Sequence, residues 1–344
     1  MSTLLGAIVV AIGGLLVGTS AWPMKVMRKY QFEHLWFVSM LIGLVLLPWA
    51  ATLTLCPNAI DAYRHIDRAL VLKANLFSFG WGIANVLCGL CYVRIGFALT
   101  GGILTGLGVS IGVTVPLIIK GSGLFNQAPN IGSPAGHTVL FGVAFMLCGV
   151  FLVSLAGFGR DKALKTSPRA GGDFAVGLAM VIVAGILSVG LSFSFVYSQD
   201  PVIRAMRAQG AGDIGANFAV WAISLIAGAL VNLLYPAYLM TKNKSWSVLA
   251  QSPRDAMLSG LIGLTMCVSI ALMGKGMLLL GVLGASVGFG IQQSSQMLGN
   301  QAVGFIGGEW KGVLGRPRMQ MYLAILLLLV AAAVLAYGNT LAKI

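Results

Sequence analysis

The chain has 344 residues, of which 58% are hydrophobic and only 9% charged. A soluble domain carries roughly 25% charged residues to cover its surface, and a disordered chain is more polar still, so both classes are excluded. The net charge of +13 would point to nucleic acid on a soluble protein, but here the basic residues sit between apolar runs, as Lys and Arg do in cytoplasmic loops. A bilayer is the expected solvent. A spanning helix needs ~20 mostly apolar residues, and ten such runs fit the chain. They are Leu4–Met24, Leu35–Leu55, Ala74–Val93, Gly96–Ile119 and Thr138–Phe158, then Phe174–Phe195, Ile214–Leu234, Ala256–Met273, one within Gly281–Ile306 and one within Met321–Tyr337. The split between the eighth and ninth is expected near Lys275–Gly276. Met1–Ser2–Thr3 carries no basic n-region, so the first run is read as a permanent span rather than a signal peptide.

Loops after the odd-numbered spans hold Lys25, Arg28, Lys29, Arg94, Arg160, Lys162, Lys165, Arg169, Lys242, Lys244, Arg254, Lys311, Arg316 and Arg318. The other side, tails included, holds Arg64, Arg68, Lys73, Lys120, Arg204, Arg207, Lys275 and Lys343. The richer side faces the cytoplasm, so both termini are expected outside. The basic stretch 161–173 separates a first five-span half, 1–160, from a second, 174–344. Five is odd, so the second half enters the bilayer from the opposite face. The expected fold class is therefore an all-α integral membrane protein of ten transmembrane helices, a five-plus-five inverted repeat of the kind that builds secondary transporters.

The chemistry available is sparse. No P-loop is present, no His/Cys/Asp cluster has metal-ligand spacing, and no cofactor is implied. Cys88 and Cys91 form a CxxC inside an apolar run, where packing is the expected role. All nine acidic residues, among them Glu33, Asp255 and Glu309, fall in loops or near span ends. A carboxylate relay at mid-membrane is thereby excluded. Gly102–Gly106, Gly108–Gly112 and Gly284–Gly288 make GxxxG spacings suited to close helix packing.

Uncharged polar groups do occur mid-span. Trp81 and Asn85 share a face of span three, Ser188 and Ser192 of span six, Asn217 and Trp221 of span seven, and Gln292, Gln296 and Asn300 of span nine. An amide in hydrocarbon needs a partner, which is either another helix or a polar ligand. Trp22, Trp36 and Trp310 are expected at the interface, whereas Trp81 and Trp221 lie deep. An aromatic face beside an amide suits a neutral polyol, so these pairs are candidate substrate-binding residues, with interhelical glue as the other reading.

Several stretches resemble the L-rhamnose–proton symporter family of the drug/metabolite transporter superfamily. They are Ala21-Trp22-Pro23-Met24-Lys25 with Glu33, Leu47-Pro48-Trp49, and Trp81-Gly82-Ile83-Ala84-Asn85 with Gly89-Leu90 and Arg94-Ile95-Gly96. Gly185-Ile186-Leu187-Ser188 with Gly190-Leu191-Ser192-Phe193, and Gly308-Glu309-Trp310-Lys311-Gly312 with Arg316-Pro317, complete the match in chain order. Spans eight and nine depart from it: Leu264-Thr265-Met266-Cys267-Val268-Ser269 stands where the family has an aromatic-rich segment, and Ile291-Gln292-Gln293-Ser294-Ser295-Gln296 presents amides where the family has an aromatic and a histidine. The resemblance implies an inner-membrane secondary transporter of a small neutral sugar, with proton symport and Glu309 as coupling candidate. A metabolite exporter is the alternative of the same kind. A membrane-embedded enzyme, from another class, would need clustered acid, base or metal ligands that the sequence lacks.

Overall fold

The computed structural model describes residues 2–20, 22–94, 97–119, 123–164, 172–308 and 310–342. Among them there is helix and no strand, as a bilayer requires of a chain that closes no barrel. We label the main helices α1 (Ser2–Thr19), α2 (Phe32–Leu55), α3 (Arg68–Arg94), α4 (Phe97–Ile118) and α5 (Pro134–Ala163). The second set is α6 (Gly172–Ser188 and Gly190–Ala208), α7 (Asp213–Ser224 and Ile226–Lys242), α8 (Pro253–Leu280), α9 (Phe289–Ile306) and α10 (Arg316–Leu341).

Among the described residues, seven of these segments are long and apolar enough to cross a membrane by themselves, and α7 makes an eighth if its two parts, bent by 56°, are one span. α4 and α9 fall outside that set. Only Ile103–Ile118 of α4 reads as a shorter apolar helix. α9 carries Gln292, Gln293, Gln296, Asn300 and Gln301, too many amides for a lipid-facing helix. It is instead largely buried by protein.

Three boundaries differ from the sequence expectation. α6 continues past Phe195 to Ala208, its polar end buried by neighbours from Ser192 to Gln199. α8 does not stop at Lys275–Gly276 but runs to Leu280, where Gly281 at φ 86° ends it. Lys275 is tolerated there because its ammonium reaches Asp213 Oδ2 at 3.0 Å. α7 is broken at Leu225 instead of running straight.

The helices pair in a definite pattern. α1 lies against α8 and α9, and α6 against α3 and α4. α4 packs on α5 and α9 on α10, while α3 touches α7 and α8 touches α2. α2 meets α7, α5 meets α10 and α4 meets α9. Glycines permit the closest crossings. A Cβ on Gly43 of α2 would lie 2.6 Å from the Gly263 carbonyl oxygen of α8, and one on Gly82 of α3 would lie 2.8 Å from that of Gly228 on α7. Of the glycines in GxxxG spacing, Gly112 faces the Phe289 ring and Gly108 faces Ser188 Oγ, so they serve packing between α4, α6 and α9.

Connections sort into two ends. Tyr30 Oη donates to Leu249 O at 2.7 Å, joining the segment after α1 to that after α7. Arg160, near the end of α5, sits 5.6 Å from the Trp310 ring centroid. At the other end Asn58 Nδ2 lies 3.4 Å from Gln209 Oε1, and Asn339 Nδ2 donates to Leu280 O at 2.8 Å.

Candidate solute site

The break in α7 is the organising feature. Interrupting a helix frees backbone groups, and in a membrane each must find another partner. Here side chains of α3 and α6 supply them. Asn75 Nδ2 donates to Ile223 O at 2.9 Å, and Ala227 N–H donates to Asn75 Oδ1 at 2.9 Å. Gly228 N–H donates to Ser78 Oγ at 3.2 Å, and Ser194 Oγ donates to Ser224 O at 3.0 Å. One asparagine thus bridges the break from both sides. α2, which packs on α7, is irregular too: Leu41–Leu46 is a π-turn, a feature that recurs at functional sites.

Asn217 and Trp221 occupy the two helical turns before the break. Asn217 Nδ2 donates to Ala271 O of α8 at 2.8 Å. The Trp221 ring is fully buried and stacks on Phe195, with centroids 4.8 Å apart and planes 20° from parallel. Asn217 Oδ1, Trp221 Nε1 and Ser192 Oγ are all buried with no hydrogen-bond partner among the described residues. Buried polar groups are nearly always paired, so three open valences on adjoining helices mark this region.

The other sequence candidates are placed differently. Asn85 Nδ2 and Trp36 Nε1 both donate to Asn232 Oδ1 at 2.9 Å, and Asn232 Nδ2 donates to Gly228 O at 2.9 Å. This amide knot ties α2, α3 and α7 together. It ties the half-buried Trp36 to the bundle. Trp310 is buried and stacked on Phe305. Trp81 packs between the backbones of Gly190 and Gly228. Ser188 Oγ donates to Gly185 O within its own helix at 2.8 Å. Gln292 Nε2 donates to Gln296 Oε1 at 3.2 Å, with the adjoining backbone pressed on Gly14 and Gly18 of α1. The structure therefore sets Asn217, Trp221 and Phe195 on one wall, and places Asn85 and the Gln292–Gln296 pair at separate helix contacts. Glu309 lies outside the described residues, as does most of the 161–173 linker.

Sequence reasoning missed Asn75, Ser78, Ser194 and Asn232. The available signal was helical spacing: Asn75, Ser78, Trp81 and Asn85 recur every three or four residues along α3. It also missed two buried carboxylates at helix ends. Asp255 is fully buried and accepts the backbone N–H groups of Arg28, Lys29 and Tyr30 at 3.2, 2.7 and 3.1 Å on Oδ2. Ser252 caps the same turn by accepting Asp255 N–H at 3.3 Å, the S-x-x-D spacing of a helix start. Glu33, 5% exposed, accepts from Asn243 Nδ2 at 3.1 Å. Burial and the Asp255 carboxylate push the Tyr30 phenol above its ordinary value, so its hydroxyl remains the donor to Leu249 O.

These contacts clamp the turn before α2 to the turn before α8. Three donors replace the water that burial strips from the Asp255 charge. Asp255→Asn keeps an oxygen but loses the charge, and is expected to cost about 1–3 kcal/mol of stability. The melting temperature of the detergent-purified variant checks this; a value equal to the unmodified protein's would show that the clamp contributes nothing.

Comparison with known proteins follows the whole length of this bundle. Residues 2–341 match the family described as L-rhamnose-proton symport protein. The L-rhamnose-proton symporter of Yersinia pestis (strain Pestoides F) is 26% identical over 325 residues, 92% of each chain. The symporter of the same name from Yersinia pestis bv. Antiqua (strain Antiqua) is 30% identical over 230 residues, 66% of this chain and 65% of the relative.

Proposed function

Because the chain belongs to the L-rhamnose-proton symport protein family, we propose that it is a secondary transporter carrying a small neutral sugar of the rhamnose type together with a proton. The family is one of transporters and not of enzymes, and the apolar helices make the chain a multi-pass membrane protein. The observation that carries the reading is the break in α7 beside the unpaired Ser192, Asn217 and Trp221. Discontinuous helices at mid-membrane form the substrate sites of many transporters. Of the candidate residues, we place the solute beside Ser192, Asn217 and Trp221, where α6 and α7 adjoin.

The ten-span, five-plus-five inverted plan is part of the proposal, with halves 1–160 and 174–344. The helix contacts support it. Exchanging each helix with the one five positions away turns α1–α9 into α6–α4, α1–α8 into α6–α3, α4–α5 into α9–α10 and α3–α7 into α8–α2. α2–α7, α4–α9 and α5–α10 map onto themselves. The Gly43–Gly263 and Gly82–Gly228 crossings exchange with one another. The α6–α7, α7–α8 and α1–α10 contacts are exceptions, with no α1–α2, α2–α3 or α5–α6 contact to match them in extent. Alternating access in such folds is a rocking of one repeat against the other.

We further propose the bacterial inner membrane, with both termini outside and the 161–173 linker in the cytoplasm. The richer Lys and Arg content of the loops after odd-numbered spans supports this orientation. Purified protein in liposomes tests the function: L-rhamnose should accumulate when a pH gradient is imposed, acid on the side that exposes the termini. Absence of sugar uptake under either gradient direction would reject the reading. A periplasm-active reporter fused to the C-terminus should score positive; activity confined to a cytoplasmic reporter would overturn the orientation.

A further inference from the structure

Positive charge gathers where α5 ends and α10 begins. Gly159 of α5 and Pro317 of α10 touch so closely that a Cβ on Gly159 would lie 2.6 Å from Pro317 Cγ. Their chain neighbours Arg160, Arg316 and Arg318 therefore stand round one helix crossing, with Lys162 and Lys311 exposed on the adjoining turns. Against these cations, segments 158–164 and 305–322 carry only Asp161 and Glu309. At the other end of the same helix pair, where Gly338 meets Val139 and Thr138, the described residues of α5 and α10 hold no Lys or Arg. Aromatic rings carry the two inner arginines. Arg160 Cζ is 5.6 Å from the Trp310 centroid and Arg318 Cζ 5.7 Å from that of Tyr322, within the ~6 Å reach of cation–π attraction. Both rings stack on Phe305, with centroids 5.2 and 6.1 Å away. Arg318 Nε also donates to Tyr322 Oη at 2.8 Å, which leaves its two terminal amino groups without a partner among the described residues. Among those residues, no carboxylate lies within ion-pair distance of Lys162, Lys311, Arg316 or Arg318.

We infer that this crossing binds the head group of an anionic phospholipid, with its phosphate held by Arg316 and Arg318 and its charge answered by Arg160, Lys162 and Lys311 as well. A guanidinium fork matches two phosphate oxygens at once. Stacking uses the flat face of the guanidinium and leaves its N–H edge for the phosphate. Clusters of Lys and Arg beside a spanning helix recognise anionic head groups in this way. The occupant is a lipid and not a free phosphate because apolar side chains adjoin the charge: Leu314 and Met319 are exposed on either side of Arg316 and Arg318, where acyl chains would cover them. The exposed Tyr322 ring suits the same head-group level. A lipid bound here bridges α5, the last helix of the first half, and α10, the last of the second. The inference stands apart from sugar transport and holds whichever solute is carried.

The test is titration of the detergent-purified full chain with phosphatidylglycerol and with phosphatidylcholine of the same acyl chains, bound lipid being counted by native mass spectrometry. Phosphatidylglycerol should bind at least ~10-fold more tightly, since each nearby cation is worth about fivefold toward an anionic head group. Arg316→Gln with Arg318→Gln, checked to be folded by its melting curve, should weaken phosphatidylglycerol roughly 10- to 30-fold and leave phosphatidylcholine unchanged. If that pair does not fold, Lys162→Gln with Lys311→Gln takes its place, because both side chains are exposed, and a loss of about the same size is expected. Arg64→Gln with Arg68→Gln, two exposed arginines between α2 and α3, should change nothing. Inorganic phosphate at the concentration of the lipid should not displace it. Equal affinity for the two lipids, an undiminished affinity in the folded variant pair, or an equal loss in the Arg64 and Arg68 pair would each overturn the site. Displacement by inorganic phosphate would overturn the lipid as its occupant.

Discussion

Asn75→Leu is expected to lower both the stability and the transport rate more than any other single polar substitution in the bundle. The leucine fills about the same volume but removes two hydrogen bonds that hold the break in α7, one on each side of Leu225. Ile223 O and Ala227 N–H are then left unmet in a site without water. Each buried unmet group costs roughly 1–3 kcal/mol, so about 2–6 kcal/mol is lost in all. Transport suffers as well, because Asn217 and Trp221 sit just before the break and are aimed by it. A misplacement of about 1 Å in a reacting or binding group can cost on the order of 100-fold, and we expect uptake in liposomes to fall at least ~10-fold. Ser194→Ala provides the comparison, since it frees only Ser224 O and should cost about half as much. Melting curves and initial uptake rates of the two variants decide the matter. If Asn75→Leu melts with the unmodified protein, the break is held by something other than α3.

Much of this site is legible in the amino-acid sequence, and the reason some of it is not is physical. Ten apolar runs, the depth of Trp81 and Trp221, and the Asn217–Trp221 pairing follow from hydropathy and helical spacing alone. The break at Leu225 does not, because Ile223-Ser224-Leu225-Ile226 is as apolar as any spanning segment and contains no proline. What breaks the helix is tertiary: Asn75, Ser78 and Ser194 offer its backbone better partners than a continuing helix would. The same holds for Asp255. Its position near a span end predicts a solvated carboxylate, yet the turn before α2 folds over it and supplies three N–H donors. Asn85 shows the converse. Its type and depth suited a ligand contact, but the long-range bond to Asn232, 147 positions later, gives its amide a protein partner. Such pairings between halves of the chain are invisible to a local pattern.

Proton coupling gives the second large effect. The sequence places no acidic residue deep within a span, so a proton carrier must lie near an end. We propose Glu309, which falls between α9 and α10 in the sequence, from its place in the Glu309-Trp310-Lys311 run. Glu309→Gln removes the titrating oxygen and keeps the shape. It should abolish accumulation driven by a pH gradient, while counterflow exchange of L-rhamnose between the two sides of the vesicle continues at close to the unmodified rate. An anchoring role for Glu309, paired with a loop cation such as Lys311 or Arg316, gives a different pattern: a lower melting temperature, with exchange and accumulation reduced alike. Glu33 supplies the necessary control. It is buried to 5% exposure at the start of α2, with the Asn243 amide on Oε1, and Glu33→Gln preserves that acceptor. With Glu309 as carrier, Glu33→Gln should still accumulate sugar in response to the gradient. If instead Glu33→Gln loses accumulation and keeps exchange, and Glu309→Gln does neither, the carrier is Glu33, where the start of α2 meets the end of α7. Proton movement would then act directly on the Glu33–Asn243 contact between α2 and the end of α7.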